Sequence, residues 1–499
     1  MSSKARAEIP LPPRPAIEPS RRQIEMRPTT VFALTAIAAA AVYLFRIGGP
    51  ALGASEAFSA WAAAMPSAKA IVEIPVPLDP GKQVFYYSLL HYTTRIFGMS
   101  ETSLRVPSAI FALLSLGVLF LLGRAMFDDA AVATATSVLW AFNPVIVILA
   151  RRARMYPMLA TVALAHLLLL WQVRRRPEWK RTIACGVLGA VTIYTHLGSL
   201  FLIGAEAAML LRDAVRGRRD PMPWIALAIA LVLFIPYFPI FSTQSHALVK
   251  GHWLDWIGTD YHFSAAGKIA VGLGAAILAL AIVFGPSMEA NRDEPLRWCF
   301  AWGLLPLVAF LSASVIIRPM FHIRYLIPCV AMAALIIARA LDSLGAKMRN
   351  LGVVGITALM LVMVPVREIT HQPWRQIAAR IEREGSPSQP VFFESGFLFF
   401  GKSAGDPNGG FPDGYYRKPF DFYFRGGNPQ LVVPGYDPAE SRRIISEKIA
   451  QAGGGWLVTW KNDGYAREEL PDPSAFRSTR EVNHYLIALY RIEPVPKPR

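Results

Sequence analysis

Long apolar stretches separated by short polar connections run through most of the chain. They begin with "VFALTAIAAAAVYLF", "SAIFALLSLGVLFLLG", "AVATATSVLWAFNPVIVILA" and "MLATVALAHLLLLW", and continue to "YLIPCVAMAALIIARAL" and "LGVVGITALMLVMVPV". Each approaches or exceeds the roughly 20 residues that cross a bilayer as a helix. One run, "IACGVLGAVTIYTHLGSLFLIGAEAAMLL", is long enough for two helices. Length alone gives about eleven spans. Two segments break the pattern. Residues 51–104 form a polar first loop, long for a membrane protein whose helices are otherwise closely joined. Past Arg367 the period changes. "PWRQIAARIEREG" and "DPAESRRIISEKIAQAGG" read as amphipathic helices, whereas "QPVFFESGFLFF", "PQLVVPG", "GWLVTW" and "HYLIALYRIE" read as strands. The expected architecture is an α-helical polytopic membrane protein with a C-terminal soluble α/β domain. Residues 1–28, Pro-rich, read as a disordered tail, 29–367 as the transmembrane domain and 368–499 as the α/β domain.

Composition agrees. A hydrophobic fraction of 54%, mean hydropathy of +0.36 and only 17% charged residues exclude an ordinary soluble protein. The net charge of +16 comes largely from the tail and from loops such as "RRRPEWKR" and "RDAVRGRRD". Such loops stay in the cytoplasm, which puts the N-terminus inside and the C-terminal domain outside, and leaves little case for nucleic acid. "ALGA" before Ser55 is a poor cleavage site, so the first span reads as an uncleaved signal anchor. Cys185, Cys299 and Cys329 have no metal spacing and read as small packing residues. The α/β domain has no glycine-rich phosphate loop of the nucleotide-binding type; "GDPNGGFPDG" reads as a surface loop.

Candidate chemistry gathers on the outward side. The first loop carries Glu56, Glu73, Asp79, Lys82 and His91. A carboxylate there can act as general base toward an acceptor hydroxyl or bind a metal; the simpler alternative for Glu56 is a charge at a helix start. "ARRARMYP" places Arg151, Arg152 and Arg154 against the positive-inside trend, and "IRPMFHIRYLIP" does the same with Arg318 and Arg324 beside His322 and Tyr325. Arginine matches phosphate geometry, so a lipid phosphate is the natural ligand, with ordinary headgroup contact as the alternative. His196 in "YTHLG", and Lys250 and His252 near Trp253 and Trp256, complete the outward set; a helix-end histidine and an aromatic belt are the duller accounts of them.

In order along the chain, "YYSLLH", "FGMSETSLRVPSAIFALLSLGVLFLLGRAMF", "NPVIVILARRARMYP", "YTHLGSLF" and "RYLIP" resemble the bacterial GT-C membrane glycosyltransferases, in the group related to protein O-mannosyltransferases and the lipid A aminoarabinose transferase. The resemblance reaches residue 345 and is strongest over 52–160. It implies transfer of a sugar from a polyprenyl-phosphate carrier to a glycolipid, glycan or protein acceptor, at the outer face of a bacterial inner membrane. It also implies membrane lipids as partners. The family's Asp-Glu pair falls on Ser55 and Glu56, its His-Pro-Pro-Leu-Tyr-Tyr segment on Lys82 to Tyr87, and its Glu-Ala-Arg-Met-Tyr on Arg152 to Tyr156. Carried over, Glu56 or Asp79 is the base, and Arg151, Arg152, Arg154, Arg318 and Arg324 hold phosphate. Lys82, Tyr86, Tyr87, His91, Tyr156, His196, His322 and Tyr325 then contact substrate. Because lipid phosphate leaves readily, no cofactor is firmly expected; a divalent metal is possible without support from the sequence. Two other classes compete: a catalytically silent relative that binds lipid-linked sugar or partners another membrane enzyme, and a transporter of lipid-linked sugar. A transporter would favour ionisable residues at mid-bilayer, where Glu206 and His166 stand isolated in the sequence.

Overall fold

The computed structural model describes residues 27–75, 84–239, 242, 265–284, 294–316, 323–368, 372–395, 418–434, 437–459, 470–484 and 487–496. Helix α1 (Pro28–Leu44) starts on a proline, whose fixed φ suits a first turn. The polar segment after it holds α2 (Ala54–Ala63), α3 (Ala68–Glu73) and α4 (Val84–Phe97). Next come α5 (Glu101–Phe127), α6 (Ala130–Ala141), α7 (Pro144–Ala150), α8 (Tyr156–Arg175), α9 (Trp179–Thr195), α10 (Ser199–Val215) and α11 (Met222–Phe234). The helical region ends with α12 (Ala265–Phe284), α13 (Glu294–Ile316), α14 (Ile327–Asp342) and α15 (Ala346–Glu368).

Local sequence explains the boundaries. Ser100 and Ser103 cap the start of α5 reciprocally, and Asp128 ends it in the left-handed region at φ 51°. Asn143 accepts from the N–H of Val145 and is followed by Pro144, so the third apolar run bends by 59° between α6 and α7. The long run expected to make two helices does so, parting at His196 to Gly198 between α9 and α10. Five described helices are long and apolar enough to cross a membrane, six if the bent pair is one span. Three shorter apolar helices accompany them, so the chain is a membrane protein, with fewer full-length crossings among the described residues than the apolar runs alone indicate.

The bundle packs through small residues. A Cβ on Gly186 would lie 2.6 Å from Ile229, and one on Gly189 would lie 2.8 Å from Ala230, so α9 and α11 approach at a distance only glycine permits. Beside them His166 and Glu206, isolated in sequence, meet: Nε2 lies 2.9 Å from the Glu206 Oε2, and Nδ1 lies 2.8 Å from the Cys185 carbonyl.

Beyond the bundle lies one five-stranded sheet, ordered β2-β1-β3-β5-β4. Strand β1 (Val391–Ser395) runs parallel to β2 (Gln430–Pro434) and β3 (Gly455–Thr459), and β5 (Ala488–Pro494) runs antiparallel to β3 and to β4 (Phe476–Asn483). Alternation divides the core. Val391, Phe393, Trp456, Val458 and Leu489 pack on α16 (Trp374–Glu384), while Phe392, Leu457, Ala488 and Tyr490 pack with α18 (Pro438–Ala452) on the other face. The four expected strands and two expected helices are present; β4 and the short α17 (Lys418–Tyr423) are additions. This α/β unit sits against the polar segment. The Gln372 side chain accepts from the Ala54 N–H at 2.9 Å, and the Tyr423 hydroxyl accepts from the Leu52 N–H at 2.6 Å and donates to Glu101 at 3.0 Å.

Candidate functional site

Glu56 stands in the first turn of α2, is 4% exposed, and is fully engaged. Its Oε1 accepts from Arg105 Nε at 2.8 Å and the Ala153 N–H at 2.9 Å; its Oε2 accepts from Arg105 Nη2 at 3.0 Å and the Gly53 N–H at 3.1 Å. Arg105, 1% exposed on α5, gives its remaining N–H groups to the carbonyls of Ile47, Pro50 and Ala51. A guanidinium has five N–H donors, and here all five are used. Burial alone would push the Glu56 carboxyl up, but the Arg105 charge and the donated hydrogen bonds outweigh it and hold the pKa below the ordinary glutamate value. The geometry makes Glu56 a fixed anion that ties α2 to α5 and to the turn at residues 151–155.

That turn carries the next group. Arg154, 4% exposed, donates from Nη1 to the Ser55 carbonyl at 2.7 Å. Its own carbonyl accepts from the Ser108 hydroxyl at 2.9 Å, which leaves Tyr86 to donate to the Ser108 Oγ at 2.7 Å. The Tyr156 ring starts α8 and lies 6.0 Å from the Arg154 guanidinium carbon and 5.6 Å from that of Arg324. Arg324 lies 5.4 Å from the Tyr325 ring, whose centroid is 4.8 Å from His196 and 6.1 Å from Tyr156. The His196 Nδ1 accepts from the Gly198 N–H at 3.0 Å, so the neutral ring carries its proton on Nε2. Two cations thus converge on one aromatic ring, flanked by a second tyrosine and a histidine, where three helices begin or end.

The structure brings Glu56, Tyr86, Arg154, Tyr156, His196, Arg324 and Tyr325 into this neighbourhood. Tyr87 is buried beside Phe58 and Tyr86. His91 is also buried, its Nδ1 2.9 Å from the Ala63 carbonyl at the end of α2. Arg151 donates to the carbonyls of Val42 and Phe45, both at 2.8 Å, and so caps the end of α1; Arg152 is half-buried in the same turn. Asp79, Lys82, Arg318, His322, Lys250 and His252 lie outside the described residues. Among the described residues no three His, Cys, Asp or Glu side chains gather as a metal site. Arg105 and Ser108 were not expected here. The available signal was a charge on the fifth residue of a long apolar helix, which burial obliges to find a partner.

Comparison with known proteins bears on this arrangement. Over 93% of the chain the structure superposes on 98% of ArnT from Cupriavidus metallidurans in the apo state, with a TM-score of 0.57 at 15% identity. The fold is that of the GT-C membrane glycosyltransferases. ArnT from Cupriavidus metallidurans bound to undecaprenyl phosphate matches 93% of the chain with 97% of its own length, at a TM-score of 0.53 and 15% identity. Residues 83–240 match the family described as dolichyl-phosphate-mannose-protein mannosyltransferase, a segment that includes α4 to α11 and therefore Tyr86, Arg105, Arg154, Tyr156 and His196. No curated protein matches the chain in sequence at a significant level.

Proposed function

We propose that the chain is a glycosyltransferase that moves a sugar from a polyprenyl-phosphate donor to a cell-envelope acceptor at the outer face of a bacterial inner membrane. About eleven spans, with the N-terminus in the cytoplasm and the α/β unit as a periplasmic domain, are part of this reading. The observation that carries it is the convergence of Arg154 and Arg324 on Tyr156. Like charges held against one ring repel, and a phosphate between them removes that penalty while accepting from both. The carrier named in the ArnT complex, undecaprenyl phosphate, has this chemistry.

In the reaction, the acceptor oxygen forms a bond to the anomeric carbon as the bond from that carbon to the phosphate oxygen breaks. The electron pair leaves with the phosphate, where Arg154 and Arg324 stabilise the growing charge. The acceptor proton goes to a carboxylate. Glu56 holds four hydrogen bonds and a depressed pKa, so it positions the Arg154 turn through the Ala153 N–H instead of acting as base. Of the other carboxylates in that segment, Asp79 is the one the family resemblance offers, and we assign it that role. Tyr86, Tyr156, His196 and Tyr325 shape the site around the sugar phosphate, with Tyr87 and His91 supporting α2 and α4.

Glu56's full engagement equally favours a second reading, a silent relative that binds lipid-linked sugar without transferring it. Mass spectrometry of envelope glycans in a deletion strain, complemented with wild type, Arg154→Ala, Arg324→Ala or Asp79→Asn, separates the two. One sugar should vanish on deletion and return only with wild type. Full rescue by Asp79→Asn removes Asp79 as base, and rescue by both arginine variants ends the phosphate-site reading.

A further inference from the structure

The far end of α8 carries a second concentration of arginine. Arg174 is 18 positions from Tyr156, so at the helical rise of about 1.5 Å per residue it lies about 27 Å from the Arg154–Arg324 cluster, at the other end of the bundle. Its side chain, 3% exposed, is ion-paired with Asp213 of α10 and Glu294 of α13, and stacks 5.3 Å from the Trp171 ring and 5.0 Å from that of Trp298. Glu294 also receives Arg218 at 2.8 Å and Arg175 at 3.5 Å, and Asp213 receives Arg212 at 3.5 Å. Arg216 and Arg297 lie close enough to act on Arg212 by charge. Among the described residues, four arginines therefore contact two carboxylates, and two more stand within range of Arg212.

The hydrogen-bond balance points the same way. Arg174 Nη1, Arg212 Nε and Trp298 Nε1 are buried donors that find no acceptor, although the Asp213 and Glu294 carboxylates stand in the same cluster. Unmet donors beside surplus positive charge are the complement of an anion with several acceptor oxygens. Arg175 and Arg218, 49% and 52% exposed, form the approach from the surface. Tryptophan beside arginine at a helix end is the setting of the headgroup layer.

We propose that this cluster binds a phosphate-bearing anion at the membrane face opposite the sugar-phosphate site. The shared chemistry is a phosphate oxygen group, either on an anionic lipid headgroup or free in the adjoining water. The test uses the full chain, purified in detergent and stripped of lipid. It is titrated with dioctanoyl phosphatidylglycerol, dioctanoyl phosphatidylcholine or inorganic phosphate, and read by native mass spectrometry and melting temperature. Phosphatidylglycerol should bind in preference to phosphatidylcholine and raise the melting temperature. Arg212→Gln should weaken that binding about tenfold, the loss of one charge-assisted hydrogen bond. Should Arg212→Gln fail to fold, the exposed Arg218→Gln is expected to show the same direction of loss. A response to inorganic phosphate alone assigns the site to a soluble anion. Equal binding of both lipids with no response to phosphate, or undiminished binding by the folded variants, overturns the proposal.

Discussion

Arg105 decides how the residues around it are read. A carboxylate in a polar loop invites a catalytic assignment, yet Glu56 is closed in by one guanidinium and two main-chain N–H groups. Removing either partner strands the other. Arg105→Ala is expected to cost about 3–5 kcal/mol, because a buried carboxylate is left uncompensated. The pH dependence has a definite sign. A carboxyl whose folded pKa lies below its unfolded value gives its full stabilisation above the unfolded value, about 4.3, and loses it as pH falls toward the folded one. Melting curves from pH 7 down to pH 3 should therefore fall more steeply for wild type than for Glu56→Gln; parallel curves would refute the assignment. The sequence showed Glu56 as chemically important but hid its partner. Arg105 lies 49 positions away, inside a run whose apolar character dominates any pattern search.

At the level of elements, the apolar runs located the helices well and their joins less well. Asn143-Pro144 and His196 to Gly198 could be read as punctuation, and both proved to be breaks. The strand β4, "FRSTREVN", could not: it is an edge strand whose alternation is charged instead of apolar, the usual guard on an exposed edge, so it sends no hydrophobic signal. Pairing between helices was also invisible. The Cys185 carbonyl can only accept, so His166 Nδ1 carries a proton, and Nε2 then meets Glu206 Oε2 with a single proton between them. Glu206→Gln should melt near wild type, since an amide N–H can donate to Nε2. His166→Leu should lose about 3 kcal/mol or more, and adding Glu206→Leu to it should restore much of the loss. Additive losses in that double-mutant cycle would show that the two side chains do not act as a pair.

As a whole molecule, the chain has two unlike ends. At one, the α/β unit meets the first polar segment, which Arg154 reaches through the Ser55 carbonyl; the surplus arginines around Asp213 and Glu294 occupy the other. All three cysteines are buried, so the native protein offers little background to a thiol probe. Arg219→Cys and Arg383→Cys, both at exposed positions, should react with a membrane-impermeant maleimide from opposite sides of sealed vesicles. Labelling from one side would invert the membrane assignment of one end. The anchoring of Glu56 also sets a schedule for biogenesis. Its segment emerges first, but Ala153, which fixes its carboxylate, follows 97 residues later, and Tyr423, which receives Leu52, follows 371 later. The first loop is made early and finished last, so the newborn chain must keep a charged, unfastened segment outside the bilayer until nearly everything else has been synthesised.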